Sequence, residues 1–172
     1  MGISPQAAAL HNRAIVIDGH SDILLPVLKG ITSLTEPFDR DAQGQTDARV
    51  TRNLENVPYQ LDPEAMRSAP AGQYELPLLE QGGITAQCVA LFLPDDMLDT
   101  ALESSLEMVA ALHRAVAQHS DRCMLATSTA DIRRAKAEGK VAYVLTMEGA
   151  EPIGHRIDLL DVFALLGLRM TT

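Results

Sequence analysis

Three short runs, Ala14–Asp18, Thr85–Leu93 and Val141–Met147, are apolar almost throughout rather than alternating, and helical patterns separate them. A strand that is apolar on both faces must be covered on both, which is the condition of a parallel sheet built from βα units. A fourth run opens near Leu168. The strongest helix is expected over Met97–Gln118, with an apolar stripe of Leu98, Leu102, Leu106, Val109 and Val116 at helical spacing. Asp95 and Asp96 precede it, where carboxylates cap free N–H groups and meet the positive end of the helix dipole. Shorter helices are expected over Pro77–Gln81, Thr129–Glu138 and Ile157–Leu166, each closed by glycine.

The chain has 172 residues, enough for a single domain with a real core, and at 47% hydrophobic and 22% charged it has a globular composition. Its formal net charge of -9 argues against a nucleic-acid backbone or an anionic membrane as partner. With 3% aromatic residues and no Trp it has little from which to build base-stacking surfaces. A small neutral or zwitterionic substrate fits better. Cys88 and Cys123 lack the spacing of a disulfide framework and read as buried thiols. No secretory signal is visible and no apolar run reaches a membrane span, so a soluble, cytoplasmic protein is expected. Residues 30–72 carry no sustained period. They read as a long irregular loop following the first strand, either a wall or lid over a site at its end or a disordered insertion.

The first apolar run ends in Asp18-Gly19-His20-Ser21-Asp22. In extended backbone, residues i and i+2 point to the same side, so the His20 imidazole and the Asp22 carboxylate can converge on one cation of borderline character such as zinc. The same five residues also fit a plain turn. Val141–Met147 ends likewise in an acid, Glu148. In a parallel βα barrel all strands end on one face, so Glu148 can meet His20 and Asp22 in space despite its distance in sequence. A carboxylate has two oxygens and can bridge two cations, which makes Glu148 the natural shared ligand of a two-metal site. Alternatively it caps the next segment or faces solvent. Glu151 reads as a surface or neighbouring acid. His113 falls on the helical stripe as a packed residue, and His119 sits at that helix's negative pole. His11 precedes the first strand on its far side, and His155 lies in a loop after Glu148.

Three motifs resemble the membrane dipeptidase (renal dipeptidase) family of metallopeptidases, within the amidohydrolase-like barrels. Val16–Asp22 is similar to that family's Asp-Gly-His-x-Asp opening. Leu76–Gln87, with the sequence LPLLEQGGITAQ, resembles its approach to the second strand. Met147-Glu148-Gly149-Ala150, followed by Leu165–Thr172, resembles its glutamate motif and the Gly-x-Arg entry to the next strand. The resemblance implies a (β/α)8 TIM barrel of the metal-dependent hydrolase type, represented here by its first three to four βα units. It implies two zinc ions, His20 and Asp22 on one and Glu148 bridging to the second, with a hydroxide held between them attacking the peptide bond of a dipeptide. It also implies a homodimer.

Two residues depart from the pattern. Cys88 stands where the family often has an aromatic residue, and Ala150-Glu151 replaces the Gly-His of animal members, both suggesting a bacterial-type relative with a differently lined pocket. A complete barrel takes about 250 residues. The chain is therefore expected to be the amino-terminal half of a dipeptidase, without the second-metal histidines and catalytic aspartate, binding metal weakly and lacking peptidase activity by itself. Other amidohydrolase-like hydrolases usually open with His-x-His, against which Asp22 argues. A non-catalytic half-barrel serving binding or assembly is the remaining alternative.

Overall fold

The computed structural model describes residues 3–30, 32–37 and 74–172. Among these residues five parallel strands form one sheet: β1 (Ile17–Asp18), β2 (Ala86–Leu91), β3 (Cys123–Leu125), β4 (Val141–Met147) and β5 (Leu168–Thr171). β2 is buried at every position and β4 at all but Val144, as expected for strands covered on both faces. The spatial order is β1-β2-β4, and both β3 and β5 lie on the remaining edge of β4. β3 pairs with Val141, Ala142 and Tyr143, and β5 with Leu145, Thr146 and Met147. At the changeover Gly167 has φ +115°, and a Cβ there would fall 2.8 Å from Leu125 Cδ2. A side chain at 167 would push β5 off the end of β3.

Helices α1 (Pro5–Arg13), α2 (Leu24–Leu28), α3 (Leu76–Gln81), α4 (Ala101–Gln118), α5 (Thr129–Glu138) and α6 (Leu159–Leu165) flank the sheet. On one face Val89, Leu91, Tyr143, Leu145 and Met147 pack with Leu24, Leu76, Leu79, Met108, Leu112 and Phe163 in the main core. On the other, Ala86, Ala126 and Ala142 pack closely against Ala135 of α5. α5 is bounded as expected: the Ser128 hydroxyl accepts from the Asp131 N–H at 3.2 Å, and the Lys140 N–H folds back to the Ala135 carbonyl at 2.9 Å beyond Gly139.

Several expectations need correction. β3 is a strand where the sequence offered none, because three residues give no readable period. α1 and α2 were not expected either. Strand 14–18 shortens to Ile17–Asp18, and Ile157–Leu166 to Leu159–Leu165. The segment from Asp95 to Thr100 is a 3-10 helix, so α4 begins only at Ala101. Asp95 and Asp96 lie in its first turn without capping through their side chains. The buried face of α4 is Ala101, Ser104, Ser105, Met108, Val109 and Leu112, whereas Leu98 and Leu106 are exposed. His113, expected to pack, is exposed, with Nε2 2.7 Å from the Leu166 carbonyl oxygen. The expectation for residues 30–72 falls outside the described residues, except at residues 30 and 32–37.

Candidate metal centre

The sheet's hydrogen bonding runs past the strand limits at the carboxyl end. The Ala90 N–H donates to the Ser21 carbonyl at 2.8 Å, and the Glu148 N–H to the Leu91 carbonyl at 3.1 Å. Ser21 is buried, which leaves His20 and Asp22 on either side of it free to project outward. The ladder thus brings the residues after β1 and after β4 to one edge. There His20 Nε2 lies 3.3 Å from Asp22 Oδ1 and 3.2 Å from Glu148 Oε2. One ligating atom from each of the three falls within 4.8 Å of the others, the one such group among the described residues.

The donor set fits a small divalent cation. Two donors each about 2.0–2.1 Å from one tetrahedral ion stand roughly 3.4 Å apart, close to the spacing of His20 Nε2 from both carboxylates. Two carboxylates against one imidazole leave acidic charge in excess, and no lysine or arginine bridges to Asp22 or Glu148 among the described residues. The three side chains are 54%, 48% and 42% exposed, so a bound ion would remain open to a further ligand.

Around them, Gly149 takes φ +80°, and a Cβ there would collide with the Glu151 carboxylate, which folds back over it. Glu151 therefore lines the turn that follows Glu148 without belonging to the cluster. Burial and, secondarily, the charge of Asp18 raise the pKa of the Cys88 thiol above its ordinary value, and Cys88 does not belong to the cluster. Both cysteines are free and buried, as expected. His11 stands off at α3, with Nε2 2.8 Å from the Gly82 carbonyl oxygen, and His119 lies 4.0 Å from Glu36. His155 is exposed in the loop after Glu148. Sequence reading passed over Asp18 and Gln87: Asp18 Oδ1 accepts from the His20 N–H at 3.3 Å, and Oδ2 from Gln87 Nε2 at 3.1 Å. Their only signal was an acid two residues before a candidate ligand and a polar residue inside an apolar strand.

A parallel βα sheet whose carboxyl edge gathers an imidazole and two carboxylates has the layout of barrel-type metal-dependent hydrolases. The family follows from direct comparison. The chain belongs to the membrane dipeptidase family, peptidase family M19, whose model matches residues 4–172. It is 27% identical over 117 residues to dipeptidase ataJ of Aspergillus terreus, covering 63% of this chain and 28% of that one. An uncharacterized protein in the PQQ-III 3' region of Acinetobacter calcoaceticus is 33% identical over 117 residues, covering 57% and 37%. Among solved structures, the dipeptidase AC, a metallo peptidase of family M19, superposes with a TM-score of 0.63 at 25% identity, over 91% of this chain and 41% of that one. A metallo peptidase from Rhodobacter sphaeroides, liganded with a phosphinate mimic of the dipeptide L-Ala-D-Ala, gives 0.63 at 23% identity, covering 91% and 44%. The chain thus spans less than half the length of these relatives and carries part of a TIM-barrel-type fold. No described helix is long and apolar enough to cross a membrane.

Proposed function

We propose that this chain contributes the first part of the metal centre of a metal-dependent dipeptidase, with His20, Asp22 and Glu148 as ligands and Glu148 shared between two zinc ions. The observation that carries the reading is the convergence of His20 Nε2 on both carboxylates at the carboxyl end of the sheet. Three protein donors with an open fourth position is the composition of catalytic rather than structural zinc sites. Bound zinc would polarise a carbonyl and lower the pKa of water enough to provide a nucleophile at neutral pH. What the chain itself does is orient that chemistry. Asp22 and Glu148 hold their oxygens around His20 Nε2, while the ladder bonds at Ser21 and Glu148 fix the two strand exits relative to each other. The side chains' exposure leaves room for a small substrate, and a dipeptide is the substrate class suggested by the names of its relatives.

Zinc titration of the 172-residue chain tests the site. Zinc is expected to raise the melting temperature of the wild type, with the increase abolished in His20→Ala and strongly reduced in Glu148→Gln. An unchanged melting temperature in saturating zinc, together with no metal retained after desalting, would overturn the reading.

A further inference from the structure

Asp18 and Gln87 form a lateral tie between β1 and β2 that ends on the backbone of a candidate ligand. Gln87 is fully buried and sits level with Asp18 in the strand register. Its Nε2 donates to Asp18 Oδ2, and the other carboxylate oxygen, Oδ1, accepts from the His20 N–H. Both oxygens of Asp18 are therefore engaged, one by the neighbouring strand and one by the turn that carries His20. Gly19, between Asp18 and His20, does not set that turn, since a Cβ there would meet nothing within 4 Å and its φ is not positive. Gln87 is also a poor choice for stability, because its Oε1 is buried without a hydrogen-bond partner among the described residues. An apolar residue there would avoid that cost.

We infer that Gln87 and Asp18 are positioning residues for the metal centre: Gln87 orients Asp18, and Asp18 fixes the chain direction that aims His20 at Asp22 and Glu148. The inference rests on the metal-centre reading above. A polar residue retained inside an apolar strand at a cost in stability, one bond away from the group that holds a ligand's backbone, is the arrangement by which outer partners tune metal sites.

Zinc affinity, measured by competition with a chromophoric chelator, is compared with the melting temperature of the metal-free protein. Gln87→Met, of matching length, is expected to weaken zinc roughly 10- to 100-fold. Its metal-free melting temperature should be equal to or above that of the wild type. A purely structural role would instead lower the melting temperature and leave affinity alone. Asp18→Ala is expected to weaken zinc at least as much. Because Gln87 acts through Asp18, the double variant should bind no more weakly than Asp18→Ala alone. Gly19→Ala should bind as the wild type does. Wild-type affinity in Gln87→Met, or additive losses in the double variant, overturns the positioning role while leaving the metal centre intact. Should Gln87→Met fail to fold, Asp18→Ala decides alone, and affinity within twofold of the wild type overturns the inference. Failure of the wild type itself to bind zinc removes the metal centre, and the positioning role with it.

Discussion

Replacing Tyr143 by phenylalanine is expected to stabilise this protein, against the usual direction of core substitutions. The ring is fully buried in the main core, yet its hydroxyl has no hydrogen-bond partner among the described residues. A buried, unpaired hydroxyl costs about 1–3 kcal/mol. Phenylalanine keeps the ring and leaves a void the size of one oxygen, worth only a few tenths of a kcal/mol at ~24 cal/mol per Å³. The net gain is then about 1 kcal/mol or somewhat more, corresponding to a rise of roughly 2–4 °C in melting temperature per kcal/mol for a chain of this size. Urea unfolding followed by circular dichroism should show a higher midpoint at unchanged m-value. A second arm uses pH. Burial, and to a lesser degree the neighbouring Cys123, raises the Tyr143 pKa above its ordinary value of 10.0. The unfolded chain therefore releases this proton first. The wild type keeps its full stability below about pH 10 and loses it as pH rises towards the folded value, by up to ~1.4 kcal/mol per pH unit. Phenylalanine has no such proton, so the gap in favour of the variant should widen above about pH 10. Cys123, pushed from 9.0 up to about 11 by burial, adds a decline common to both proteins. A variant destabilised by more than about 1 kcal/mol at neutral pH, or a gap that does not change with pH, would refute the reasoning.

Two further substitutions probe the turns around the site. Gly149→Ala is expected to destabilise by about 1–2 kcal/mol, because φ +80° disfavours any side chain. Adding Glu151→Ala should recover little of that loss in urea unfolding, since the flexible carboxylate can move aside, and full recovery would show that the clash rather than the backbone was the cause. Arg169→Lys is expected to cost about 1–2 kcal/mol in thermal unfolding. The guanidinium donates to the carbonyls of Thr127, Ala164 and Leu168 at 2.7, 2.9 and 2.6 Å, a pattern that an ammonium cannot reproduce. An unchanged melting temperature would count against that stitch.

The parts legible in the sequence are those fixed by local chemistry. β2 and β4 showed as apolar runs because a parallel strand must be covered on both faces, and α5 showed because Ser128 and Gly139 mark its ends by hydrogen bonding and backbone shape. His20, Asp22 and Glu148 stood out as polar residues immediately after such runs. What stayed hidden depends on neighbours distant in sequence. α1 buries no residue, so its apolar pattern carried no information, although Ser4 before Pro5 is a start signal that could have located it. α2 contains Pro26, which argues against a helix until the packing of Leu24 is seen. The face of α4 is turned so that Ser104 and Ser105 are buried while Leu106 is not, because what is covered depends on the neighbours the helix packs against, α2, β2 and β3, rather than on hydropathy alone. The tie from Gln87 to Asp18 requires the register between β1 and β2, which neither segment encodes alone.

The division of β4's edge bears directly on the candidate site. β3 and α5 hold the amino-terminal half of β4, through Val141, Ala142 and Tyr143. The carboxyl-terminal half, from which Glu148 emerges, is held by β2 on one side and β5 on the other. Beyond the strand, the Glu148 N–H donates to the Leu91 carbonyl and the Gly149 N–H to the Thr172 carbonyl at 3.1 Å each, so both neighbours continue to grip the chain at the candidate ligand itself. On β1, His20 is held through Asp18 and Gln87, and Gln87 belongs to β2 as well. β2 is therefore the common reference for both strand exits that meet at the site: one is fixed to it by a main-chain bond at Leu91, the other by a main-chain bond at Ala90 and a side-chain bond at Gln87. A displacement of β3 alone leaves that reference untouched, whereas a displacement of β2 moves the His20 imidazole and the Glu148 carboxylate together. This explains how a strand that contributes no candidate ligand can still determine the geometry of the candidate ligands on either side of it.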